Sequence, residues 1–152
     1  MALVQRDFIL RMIEALAAAI ASIRKRKSEG DLVGARQDVQ HATRELLGPA
    51  AAMAAMVDSR TAANLVSDPR RLRLWSQLLA EDSATLLAMG KARESAAVDR
   101  RILELLLEAW QREREWDERT REIFADARTR GGADQLDPAF RAALRAWDEE
   151  HR

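Results

Sequence analysis

Residues 6–49 read RDFILRMIEALAAAIASIRKRKSEGDLVGARQDVQHATRELLGP, and this stretch decides the fold. Phe8/Ile9, Met12/Ile13, Leu16, Ile20 and Ile23 recur at helical spacing, which puts them on one face of a helix from about Gln5 to Ser28. Gly30 stops that helix, and Asp31 stands where the next one needs a cap. Leu32, Ala35, Val39, Ala42 and Leu46 then share a face, with Arg36, Asp38, His41 and Arg44 off it. So short a turn forces the two helices antiparallel. They should pack through Ile13, Leu16, Ile20, Ala35, Val39 and Ala42.

Outward from this hairpin the helical pattern continues. Gly48-Pro49 reads as a stop followed by a proline at a first helical position. A short Ala/Met helix over residues 50–57 and a short turn from Asp58 or Ser59 through Val66 come next. Asp68-Pro69 opens a helix with Leu72, Trp75, Leu79 and Leu86 inward, closed by Gly90. A longer helix begins near Ala92 and buries Ala96, Ile102, Leu103, Leu106 and Trp110. Its continuation from Gln111 to Glu122 is charged, with Trp116 the only large apolar residue. Glu108–Arg112, Glu115–Arg119 and Asp117–Arg121 have the spacing of stabilising helical pairs. Ile123, Phe124 and Ala127 restore an apolar patch before Gly131-Gly132 breaks the helix. Asp137-Pro138 opens a last helix with Phe140, Leu144 and Trp147 on one face.

Strand signals are missing, because β-branched and aromatic residues never alternate with polar ones over a useful length. The expected class is all-α: antiparallel helical hairpins, one long charged helix and a short C-terminal helix. Residues 1–130 form the hairpin domain, and residues 131–152 form a Gly-Gly linker and docking helix belonging to it.

The turn Gly30-Asp31-Leu32-Val33-Gly34-Ala35, followed by Val39 and Ala42, resembles the second half of a tetratricopeptide repeat. In that family a glycine ends helix A, and small residues on helix B let the pair approach closely. Leu86 to Leu107 looks like a second copy, with Gly90 at the turn and Ala96 and Leu103 on the following helix. One extra residue separates its glycine from its alanine, and Arg100 stands where an apolar residue is expected. The two glycines lie 60 positions apart (90 − 30) rather than one repeat of about 34. The tryptophan and tyrosine positions of helix A are not visible in the first helix. Arg6 to Ile13 is also similar to the opening of an uncharacterised bacterial tetratricopeptide-like family. The resemblance implies a helical scaffold that binds other proteins.

Composition narrows the function classes. The 152 residues carry 25 basic and 25 acidic side chains, so no global field gathers phosphates. Cysteine is absent, which removes disulfides, thiolate zinc sites and cysteine nucleophiles together. No stretch reaches the roughly 18 apolar residues of a membrane span. The basic run Arg24-Lys25-Arg26-Lys27 follows the apolar segment, the reverse of a signal peptide. A cytoplasmic protein is expected, and the bias to alanine and arginine points to a GC-rich bacterial genome.

Candidate sites are few. Asp38…His41 and Asp148…His151 share the spacing of bundle di-metal ligands. His41 lies off the apolar stripe, His151 is penultimate, and the accompanying glutamates are missing, so neither metal nor cofactor is expected. Asp82-Ser83 lacks a histidine or glycine elbow and reads as a helix surface edge. Gly131-Gly132 lacks the lysine and hydroxyl of a phosphate loop. The chain therefore reads as non-enzymatic.

Arg24, Lys25, Arg26, Lys27, Arg70, Arg71 and Arg73 form the candidate basic patch for nucleic acid or an anionic membrane, the alternative function. Trp110, Trp116, Phe124, Phe140, Leu144 and Trp147 form the candidate interface. Trp116 sits amid Arg112, Glu113, Arg119 and Thr120, so either another element or a second chain must cover it. The reading is a self-associating scaffold or adaptor, a homodimer with Trp116 in or beside the interface.

Overall fold

The computed structural model describes the backbone of residues 2–152 and the side chains of residues 6–152. Among the described residues eight α-helices follow one another: α1 (Ala2–Ser28), α2 (Leu32–Leu47), α3 (Ala51–Met56), α4 (Ser59–Val66), α5 (Pro69–Ala88), α6 (Ala92–Arg112), α7 (Glu118–Thr129) and α8 (Pro138–Glu150). Single 3-10 turns at Gly48–Ala50 and Gly132–Gln135 complete the chain, and no strand occurs among the described residues. Among the described residues no helix is long and apolar enough to cross a membrane.

Two hairpins of the same construction organise the array. Gly30 (φ +80°) and Gly90 (φ +78°) both take the left-handed conformation that glycine adopts without strain. Asp31 N–H reaches back to the Arg26 carbonyl and Lys91 N–H to the Leu86 carbonyl, each at 2.9 Å, closing the same six-to-one C-cap. Asp31 Oδ1 then accepts from Gly34 N–H at 2.9 Å and starts α2. The second hairpin, α5–α6, packs against the first mainly through α2 and α5. Arg71 lies over Phe8 and Arg24 bonds Glu81, so α1 and α5 run parallel.

Equivalent positions of the two hairpins differ by 60 residues (90 − 30), and the chemistry at those positions differs. Ile23, Ala35 and Val39 fill the first hairpin with apolar core. Ser83, Ser95 and Asp99 fill the second with a buried polar network. Ser83 Oγ donates to Asp99 Oδ1 at 2.6 Å and lies 2.8 Å from Ser95 Oγ. Arg130 from beyond α7 closes on both Asp99 oxygens at 3.0 Å. Ser83 is thus an interior residue, not a surface edge. Ser95, in register with Ala35, takes the close-contact position expected of Ala96, and Ala96 is exposed.

α6 is the central helix. From Ile102 to Trp110 every residue is buried. Leu105 and Ala109 face a core shared with α1–α5, whereas Leu103, Leu106, Leu107 and Trp110 face a second core with α7 and α8. Gly132 lies so close to α6 that a Cβ there would stand 3.0 Å from the Asp99 backbone. That close approach seats the turn between α7 and α8 on the central helix.

Further expectations are corrected. The long charged helix is interrupted: α6 ends at Arg112, and α7 starts after Asp117, whose Oδ1 accepts from Thr120 N–H at 2.7 Å. Glu108–Arg112 forms at 2.8 Å, but Arg119 pairs with Glu122 and Asp117 caps α7. The break swings Trp116 inward, where it is 7% exposed. Ile13, expected between α1 and α2, is instead 44% exposed.

Candidate interaction surfaces

The six aromatic and apolar residues expected at an interface converge within one chain. Trp110, Trp116, Phe124, Phe140 and Leu144 are buried in the second core, and Trp147 packs against it half-buried. Trp116 stacks on Trp147 at 5.8 Å and meets Phe124 at 5.1 Å. Arg128–Asp148 at 2.7 Å and Arg114–Glu150 at 3.2 Å tie α8 down at its C-terminal half. The cover for Trp116 is therefore α8 of its own chain. A second chain is not needed to bury it, and the interface placed there has lost its reason.

The basic clusters do not merge into one patch. They sit at opposite ends of α1, since Arg71 stacks over Phe8 and Arg24 bonds Glu81. Phe8 and Arg24 are 16 residues apart, about 24 Å along a helix. Most of the charges are also matched. Arg24 and Lys27 share Glu81, Arg26 holds Asp31 and Asp38, Arg70 holds Asp68, and Arg73 holds Glu113. Lys25 and Arg71 make no ion pair within the chain among the described residues. Arg70 pairs with the cap of its own helix, and the other paired cations tie one helix to the next, which is a structural use.

The histidine patterns stay apart. Asp38 accepts from Arg26 and Ser22, while His41 is exposed beside Glu45. Asp148 is held by Arg128, and the His151 ring stacks on Trp147 at 4.0 Å. No three His, Asp or Glu side chains gather in a metal-holding group among the described residues.

Sequence reasoning missed the acids of α6. Glu104 and Glu108 interrupt the otherwise apolar segment Ile102–Trp110 of α6, and both are buried. Ser59 donates to Glu104 at 2.8 Å, and Arg60 and Arg112 hold Glu108 at 3.2 and 2.8 Å. Burial pushes the Glu104 carboxyl above its ordinary range, outweighing the Ser59 hydrogen bond and Arg100. The visible signal was charge inside Ile102–Trp110, a run too apolar to expose. Glu104 borders an open cleft of about 530 Å³ where α4, α6 and the start of α8 meet. Asp58, Glu104 and Asp137 face Arg60, Arg100 and Arg101 across it, so its formal charges balance. Arg101 donates to the Val57 carbonyl at 2.9 Å and to that of Ala54, at the C-terminal end of α3. No histidine lines the cleft, and the Ser59 hydroxyl is committed to the Glu104 carboxyl.

A second groove has a different character. It runs for about 490 Å³ along the outer side of the α1–α2 hairpin, away from α5. Phe8, Met12, Leu16, Ala15, Ala19 and Leu46 make it predominantly apolar. Arg11, Asp38, His41 and Glu45 stand along its rim. Phe8 is 47% exposed here despite its size. The stripe that was to bury α1 is thus shared between the core and this groove, because α2 and α5 together cover only one side of the helix. No family model matches the chain, and neither a curated protein nor a solved structure matches it.

Proposed function

We propose that the chain is a non-enzymatic helical scaffold, tetratricopeptide-like in plan, that binds a protein surface through the α1–α2 groove. The observation carrying this reading is the open apolar groove with a charged rim, on a molecule whose large aromatic cluster is otherwise internal. Grooves between helices, apolar in the floor and polar at the edge, suit an amphipathic helix laid along them. The repeated glycine turn and the stacking of α5 on α2 support the array plan, in which α1–α2 is an end hairpin with one face uncovered. The basic-patch alternative has no comparable support, because its two clusters are separate and largely paired.

Photo-crosslinking in the native host tests the proposal. A photoreactive residue at Ala15 or Ala19 should capture protein, while one at exposed Ala125 on α7 should not. Equal capture from all three positions, or none from the groove, removes the proposal.

A further inference from the structure

The order of charges along the groove names its occupant. Ser22 of α1 donates to Asp38 of α2 at 3.3 Å, so in this antiparallel hairpin residue n of α1 stands beside residue 60 − n of α2. Glu45 is then level with residue 15 of α1, His41 with residue 19 and Asp38 with residue 22. Read from the α1 N-terminal end, the rim runs Arg11, Glu45, His41, Asp38. Its sequence is cation, anion, imidazole, anion. Reversed and laid on itself, the series sets Arg11 against Asp38 and Glu45 against His41.

We infer that the groove is a two-fold interface between copies of this chain, with α1 antiparallel to α1 of the partner subunit. This rests on the groove being a docking surface. Both pairings call for one axis: Glu45 meets His41 between facing copies of α2, and Arg11 meets Ser22 between facing copies of α1, with Asp38, which also holds Arg26, beside it. Levels 11 and 22 have their midpoint at 16.5, and levels 15 and 19 have theirs at 17. The same axis brings Ala15 onto Ala19 of the partner subunit, where small side chains let two helices approach closely. An axis parallel to the helices would set α1 over α2 and leave Glu45 opposite an alanine. The arrangement is isologous, the commonest way a soluble chain closes on itself. Where α1 and α2 run side by side the hairpin face is about 24 Å long and 20 Å wide, which offers on the order of 500 Å², the share of a small, reversible interface. Arg11 makes no ion pair within the chain among the described residues, and Glu45 has only His41 at 4.0 Å.

His41 and Glu45 are both well exposed, so their exchange leaves the fold alone. His41→Glu sets two glutamates against each other on each side of the axis. It should weaken the dimer on the order of ten-fold or more. Adding Glu45→Arg restores opposite charges across the axis and a favourable pair within α2, and should restore the dimer. Sedimentation equilibrium at tens of micromolar reads all three proteins. A dimeric wild type, a weakened His41→Glu and a recovered double variant support the inference. A monomeric wild type overturns it, as does a dimer indifferent to His41→Glu. A monomeric wild type whose groove still crosslinks a different protein leaves the docking reading standing and removes only the second copy.

Discussion

Glu104 shows how a single side chain can work against the fold that holds it. Its carboxyl sits on the all-buried segment of α6, and burial favours the protonated form. A raised folded-state pKa contributes stability that is fully present below the ordinary value of 4.5 and is lost as pH rises through the folded value. At neutral pH the charged form is therefore a cost. Glu104→Gln keeps an oxygen for the Ser59 hydroxyl and removes that charge. It should raise the denaturation midpoint at pH 7, with the gain shrinking toward nothing at pH 4. Urea titrations at both values check this, and an equal gain at both would exclude the buried charge as the cause. Asp99, equally buried, differs because Arg130 and Ser83 satisfy both of its oxygens. Neither acid was legible from spacing, since an acidic residue in a helical pattern reads as solvent-facing until the helix is known to be surrounded. Ala35 and Gly30 were legible because their roles are set by the adjoining turn.

Among the elements, the short-range signals proved the most readable. The helix stops at Gly30 and Gly90 and the caps at Asp31 and Asp58 were visible because each depends on four or five neighbouring residues. Burial and Arg70 act in opposite directions on Asp68, and the hydrogen bonds from Arg70 win, holding its carboxyl below the usual range. The junction of α6 and α7 was not legible. Residues 111–122 favour helix locally, with ion pairs at the right spacing, yet an unbroken helix would hold Trp116 in solvent. Burying an indole is worth more than a few surface pairs, each a few tenths of a kcal/mol. The chain therefore leaves helix at Glu113 and restarts after Asp117. Asp117→Ala discriminates the two descriptions. It removes the cap at Thr120 and should cost about 1 kcal/mol. In a continuous helix the same change would be neutral or stabilising, because alanine is the better helix former. Thermal unfolding of the two proteins decides it.

For the whole molecule, the sequence showed which residues were apolar and helical but not which of them would face each other. Trp116, Phe124 and Trp147 looked like an incomplete surface because the chain segments that complete it are separated by more than a turn. They close on one another across α7 and α8. The groove went unnoticed for the opposite reason. Phe8, Met12 and Leu16 looked fully committed to a core, but an end hairpin has a neighbour on one side only. Contact with other chains, as proposed, lies at the α1–α2 end and not at the aromatic end. Hydrogen–deuterium exchange across a range of protein concentrations tests that directly. With increasing concentration, amides over residues 8–22 and 38–46 should slow while those of α7 and α8 keep their rates. Slowing confined to α7 and α8, with the groove helices unchanged, would contradict it.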